Sequence, residues 1–237
     1  MSGSALKVGA RKLIFENAPR IFYISMLYIA LTTLLSWLMF SLPGNINMQD
    51  INSRLAAGEV PSLAIIFTNF RLIGVFLALL LLLLHPLLDF GFLSYCMKMS
   101  RSRETEYKDL FNGFIFFTKI LSIFVITALL TFLWGLLLII PGIVAGYRYR
   151  LAYYILFDDP KKGALQCIAE SKAIMHGRKL DLLTIDLSFL GWYALDFLVV
   201  VLIPLPVALP LISIWISPYV GLTRAAFYEN QVENIAV

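Results

Sequence analysis

The chain has 237 residues, 60% hydrophobic and 14% charged, with a mean hydropathy of +0.83. Soluble domains run at roughly 45–50% apolar and about 25% charged. Nineteen Lys and Arg with fifteen Asp and Glu are too few to cover a soluble 26.8 kDa globule, which excludes an ordinary cytosolic enzyme, a disordered chain and a secreted disulfide scaffold and leaves a polytopic helical membrane protein.

A membrane-crossing helix needs about 20 mostly apolar residues. Residues 21–42 meet this without a charge and follow a start that carries Lys7, Arg11, Lys12 and Arg20. The run is too long for the apolar core of a signal peptide and lacks a small-residue cleavage pattern, so it is expected to be a retained first span. A polar loop over residues 43–62 follows, opening with Pro43-Gly44. The apolar tract over residues 63–99 would be about 55 Å long as one helix, too long for a single perpendicular crossing. Arg71 and His85-Pro86 divide it. Residues 72–95 are expected to form the second span, bent at Pro86, with residues 63–70 at the outer interface.

The basic stretch KMSRSRETEYKDLFNGF precedes a third span over residues 118–140, which stops at Pro141-Gly142. Residues 143–157 are short and hold Arg148 and Arg150. Lys98, Arg101, Arg103, Lys108 and Lys119 lie before the third span, and Lys161, Lys162, Lys172, Arg178 and Lys179 lie after the short segment. If both clusters are cytoplasmic, an even number of crossings separates them. Residues 143–157 therefore form a short fourth span or dip in and return. Spans over residues 182–203 and 205–222 complete six crossings, turning at Pro204 and Pro206, with both termini cytoplasmic.

Between the fourth and fifth spans, Asp159 and Pro160 read as a helix start and Gly177 as a left-handed stop. Leu165, Ile168 and Met175 fall near one face, with Lys161, Lys162, Lys172, Arg178 and Lys179 mainly elsewhere. This helix either lies on the inner leaflet with its basic residues toward anionic headgroups or is a solvated linker. The first and third spans share a basic start, an aromatic beginning, an outer Trp and a Pro-Gly corner. That echo reads either as a repeated hairpin or as the shared needs of any membrane hairpin.

No glycine-rich phosphate loop, paired-Cys metal spacing, His-Glu-x-x-His or nucleophile elbow is present in the sequence, and no cofactor or nucleic-acid partner is expected. Cys96 and Cys167 are too few for a disulfide framework or a metal cluster. His85 before Pro86 reads as an interior side chain. The informative residues are the ionisable ones inside spans, which must pair or face water: Asp89, Arg148, Arg150, Asp186 and Asp196. Antiparallel spans bring Arg148 to the depth of Asp196 and Arg150 nearer Asp89, so the two arginines are expected to pair with these two aspartates. Either these charges are interhelical locks or they line a polar cavity for an ion, lipid or amphipathic substrate. Tyr147, Tyr149, Tyr153 and Tyr154 surround the arginines and offer cation–π faces or an interfacial belt.

The ordered markers LWGLLLIIPGIVAGYRYRLAYYILFDDP and ALQCIAESKAIMHGRKLDLLTIDLSFLGW lie in residues 133–192. Together with Ser171 and the following Met175-His176-Gly177-Arg178-Lys179, they resemble the bacterial integral-membrane family known as domain of unknown function 975. The resemblance implies a bacterial plasma-membrane protein and brings no activity, substrate or cofactor. Arg178 and Asp159 depart mildly from the pattern, standing where a small or Asn-like residue and an Asn are usual.

The expected architecture is a single all-α integral membrane domain: a bundle of about six transmembrane helices in three hairpins, with an inner-face amphipathic helix. The expected function is that of a non-catalytic module for partner binding or envelope adaptation, with a small transporter or channel as the alternative. The expected partners are the bilayer, its anionic headgroups, and a membrane protein or a second copy of the chain.

Overall fold

The computed structural model describes residues 3–41, 53, 55–58, 72–202 and 210–236. Among the described residues the chain is helical, with no strand. The helices are α1 (Gly3–Asn17), α2 (Arg20–Ser41), α3 (Leu72–Ser100), α4 (Asn112–Ile115), α5 (Phe117–Leu137), α6 (Ile139–Arg148), α7 (Ala152–Asp158), α8 (Ala164–Ile174), α9 (Lys179–Leu187), α10 (Leu190–Leu202) and α11 (Ser213–Ala236). A 3₁₀ turn over Tyr107–Phe111 leads into α4. The chain divides into two compact units, Met1–Ile29 with Pro86–Val237, and Ala30–His85.

Among the described residues, four helical stretches are long and apolar enough to cross a membrane: Arg20–Met39, Gly74–Ser100, Phe117–Leu137 and Lys179–Val199. The first three coincide with the expected first, second and third spans. The second continues five residues beyond position 95, to Ser100. The fourth joins α9 and α10 through a turn at Ser188 and Phe189, where the Phe189 amide donates to the Asp186 carbonyl at 3.0 Å. The apolar side chains of these stretches are widely exposed. Leu136, Leu137, Leu138, Ile139 and Ile140, at the α5–α6 corner, are each between 67% and 78% exposed. An uninterrupted aliphatic corner of this kind is an unfavourable surface in water and a suitable one in hydrocarbon.

The corner itself is displaced from its expected position. The backbone is extended at Leu138, and Pro141 lies in the first turn of α6. Proline is tolerated there because first-turn amides have no intrahelical acceptor. Residues 143–157 are not one helix: α6 ends at Arg148, α7 starts at Ala152, and the chain breaks between them. The last helix, α11, begins at Ser213 and runs to Ala236, well past the expected end at 222. Neither α6–α7 nor α11 is among the four membrane-length apolar stretches. The expected loop at 43–62, apart from residues 53 and 55–58, lies outside the described residues. So do the interfacial segment at 63–70, Arg71, and the turns at Pro43-Gly44, Pro204 and Pro206.

In the unit Ala30–His85, Ser36 Oγ lies 3.3 Å from His85 Nε2, so His85 is satisfied between α2 and α3 rather than exposed as a ligand. In the larger unit the core is built on close backbone contact. A Cβ added to Gly91 would sit 1.7 Å from the Leu110 carbonyl oxygen, and one added to Gly113 would sit 2.0 Å from that of Leu87. Only glycine lets α3 and the Tyr107–Ile115 segment approach so closely. Helix α1 buries Leu6, Ala10 and Ile14, which share one helical face, and packs on α11 and α9. Lys7 donates to Ser188 Oγ and lies 4.5 Å from the centre of the Phe189 ring.

Helix α8 starts later than its sequence signals suggest. Asp159 and Pro160 form a turn in which Asp159 Oδ1 accepts the Lys161 amide at 3.1 Å, and the helix begins after Gly163. The Gly163 amide is satisfied by Gln166 Oε1 at 3.0 Å. Ile168 and Met175 are buried with Cys167 and Ser171, but Leu165 is 69% exposed and belongs to the opposite side. The buried side of α8 packs on α7 and α5. The expected stop is present: Gly177 has φ of +76°, the left-handed conformation that favours glycine.

Candidate functional site: a tyrosine- and arginine-lined cavity

The larger unit contains a cavity of about 690 Å³, lined by residues of α2, α3, α5, α6, α7, α10 and α11. The lining is mixed: α3 brings Asp89 beside Phe92 and Leu93, α5 brings Phe124, Ala128 and Phe132 with Thr127 and Thr131, and α11 brings Val220 with Ser217 and Arg224. Arg150 and the five tyrosines Tyr28, Tyr149, Tyr153, Tyr154 and Tyr193 complete it, with the Tyr28 ring stacked on that of Phe92 at 4.5 Å. Sites for organic molecules combine largely apolar walls with a few convergent polar groups in this way.

The break between α6 and α7 puts Arg150 on the cavity wall. Interrupting a helix strands backbone groups that must find partners. A single buried hydroxyl supplies two of them: Ser171 Oγ accepts the Leu151 amide at 3.1 Å and donates to the Arg148 carbonyl at 3.0 Å. Within the break, the Arg150 amide donates to the Tyr147 carbonyl and the Ala152 amide to that of Tyr149. Ser171 thus splints the turn from which Arg150 projects.

The five ionisable residues that the sequence places inside expected spans have separate surroundings. Asp186 is a lock, but its partner is Arg224, whose Nε and Nη2 lie 3.0 and 2.9 Å from Asp186 Oδ1. Tyr147 donates to Asp186 Oδ2 at 3.1 Å, so three helices meet on one carboxylate. Asp196 does not pair with Arg148. It is buried and caps the start of α11, where Oδ1 accepts the Ile212 amide at 3.0 Å and Oδ2 accepts the Ser213 hydroxyl. The physical reason is the late start of α11, which presents free amides to Asp196; an anion beside a helix N-terminus is favourable. Asp89 accepts the Tyr28 phenol at 2.7 Å. Neither Arg148 nor Arg150 has a carboxylate within 4.0 Å among the described residues. Of the five, only Asp89 and Arg150 line the cavity.

Arg224 escapes a reading of the sequence because a basic residue just past an apolar stretch looks like an inner-end anchor. The signal that reveals it is the helical continuation to Ala236, which makes Arg224 a mid-helix charge.

Beyond the cavity, the ends of α3 and α7 are clamped to the later part of α11. Arg101, just after α3, donates to both oxygens of Asp158 at 2.6 and 3.1 Å and to Glu229 at 3.0 Å. Ser100 donates to Glu229 at 2.7 Å and Tyr228 to Asp158 at 2.8 Å. The bonds to Asp158, more than those to Glu229, hold the Arg101 guanidinium above its usual range and fix it as a cation. Tyr154, on the cavity wall, packs its ring 5.3 Å from that of Tyr228, linking clamp and cavity.

The basic residues around α8 have different surroundings. Lys162 is paired with Glu170 at 2.6 Å, and this bond raises its ammonium above the ordinary value. Arg178 lies 3.5 Å from Asp181. Lys161, Lys172 and Arg178 are exposed, and Lys179 is half-buried in the first turn of α9. Both cysteines are free and buried; burial raises the Cys167 thiol. Among the described residues no group of three or more His, Cys, Asp or Glu is arranged to hold a metal ion.

These features define an all-helical protein with four apolar helices of membrane length and an amphipathic cavity between helices. Residues 135–234 match the family described as Protein of unknown function (DUF975). The matched stretch contains Arg150, Ser171, the Asp186–Arg224 pair and the Asp196 cap. No curated protein and no solved structure matches the chain.

Proposed function

We propose that this is a multi-pass protein of the bacterial plasma membrane that binds an amphipathic molecule between its helices, without catalysing a reaction, as the binding step of a small transporter. The mixed lining of the cavity carries this reading, because it combines Phe, Leu, Val and Ala side chains with Arg150, Arg224 and five tyrosines. A molecule with an acyl chain and a polar head meets both kinds of side chain, whereas an ion alone leaves the apolar ones unused. The clamp of Arg101, Asp158 and Glu229 suits a closed inner end, because it ties together α3, α7 and α11, which all contribute to the cavity.

In the topology proposed with it, six crossings leave both termini cytoplasmic. The basic residues at the ends of the first and third apolar stretches support that orientation. The fourth crossing is assigned to α6 and α7, which hold 10 and 7 residues on either side of the break. Lys161, Lys172 and Arg178 then meet anionic headgroups at the inner surface.

The test is saturable binding of a fluorescent single-chain amphiphile to the purified full chain in nanodiscs. Binding is expected in the native protein and lost in Ala128→Trp, which fills the cavity from α5, with thermal unfolding shifted by only a few degrees. Absence of saturable binding in the native protein, or its persistence in Ala128→Trp, overturns the proposal.

A further inference from the structure

We infer that the cavity selects amphiphiles with an anionic head, and that Arg150 is the residue that contacts it. This rests on the cavity-binding reading above and names its ligand class. The argument is one of unequal commitment among the charges on the cavity wall. Arg224 is already neutralised by Asp186, which is itself saturated by two guanidinium nitrogens and the Tyr147 phenol. Asp89 is engaged by Tyr28. Arg150 is exposed on the cavity wall and has no described carboxylate within 4.0 Å.

A guanidinium facing a cavity flanked by apolar helices is stabilised most by an anion that it can bond in bidentate fashion. It projects from a two-helix break whose backbone is held on either side by Ser171, so its side chain starts from an ordered backbone. The surrounding phenols, Tyr149, Tyr153 and Tyr193, add hydroxyl donors and aromatic faces near the same head position. Phe124, Ala128 and Phe132, spaced four residues apart on α5, offer an apolar track for one chain, and Ala128 and Phe132 are exposed. A phosphate- or carboxylate-headed lipid drawn from the bilayer therefore matches both ends of the site.

Competition in nanodiscs tests this, reading only the saturable component that Ala128→Trp lacks, so that simple partitioning into the bilayer is subtracted. Dodecyl phosphate is expected to displace the fluorescent amphiphile at concentrations at least about tenfold lower than dodecyltrimethylammonium or dodecanol, the scale of one charge-assisted bond. Arg150→Gln should erase that preference while dodecanol still competes, and Arg150→Lys should retain part of it. Equal competition by the three probes, or a preference unchanged in Arg150→Gln, overturns the anionic assignment and leaves the cavity as a general amphiphile site. Displacement by inorganic phosphate as effective as that by dodecyl phosphate overturns the lipid-like ligand in favour of a free anion. If no saturable binding is found at all, the underlying cavity reading fails with it.

Discussion

Asp186 and Arg224 are each expensive in apolar surroundings alone, and each makes the other tolerable. The carboxylate takes two guanidinium nitrogens on one oxygen and a phenol on the other, so removing a partner leaves a mostly buried charge unmatched. Asp186→Asn or Arg224→Gln is expected to destabilise the protein by about 3 kcal/mol. The double variant should be less destabilised than the sum of the singles, with a coupling above about 1 kcal/mol in a thermal-unfolding cycle. Additive losses would remove the lock. At this scale the sequence was half legible. That Asp186, Asp196, Asp89 and Arg150 need special surroundings follows from their apolar neighbours. Which partner each finds does not, because Asp196 meets backbone amides rather than Arg148, and Asp186 meets a residue 38 positions away.

The elements follow length and composition closely where a segment is long, apolar and nearly free of charge. The stretches beginning at Arg20, Gly74 and Phe117 are legible for that reason. Shorter segments are decided by local satisfaction of the backbone. The break between α6 and α7 exists because Ser171 of a later helix accepts and donates at its two orphaned groups. The α5–α6 corner turns at Leu138, five aliphatic residues making its exposed tip. If that tip stays in hydrocarbon, a thiol there remains protonated and unreactive. Ile139→Cys is therefore expected to resist a membrane-impermeant maleimide in intact and in permeabilised cells, whereas Ser4→Cys on α1 reacts after permeabilisation. Cys96 and Cys167 are buried and should contribute little background. Rapid labelling of Ile139→Cys would place the corner in water instead.

In the larger unit, distant parts of the chain are joined at a few points. Helix α1 packs on α11, bringing residues near both ends of the chain together, and Arg101 ties the end of α3 to those of α7 and the later part of α11. Arg101→Ala leaves Asp158 and Glu229 partly buried without their cation and should cost about 2 kcal/mol, read as a fall in the unfolding temperature in nanodiscs. Arg101→Lys should recover less than half, since an ammonium cannot repeat the two-oxygen bond to Asp158 while holding Glu229. Full recovery by lysine would reduce the clamp to simple charge. By itself the sequence determined that this chain is helical, that it carries apolar helices long enough to cross a bilayer, and where costly charges occur. Those properties follow from residue type and run length, which act locally. Only the tertiary structure decided which charges close into a lock, which one caps a helix and that Arg150 opens onto a cavity. Those outcomes depend on kinks, helix starts and side-chain meetings between residues far apart in the chain.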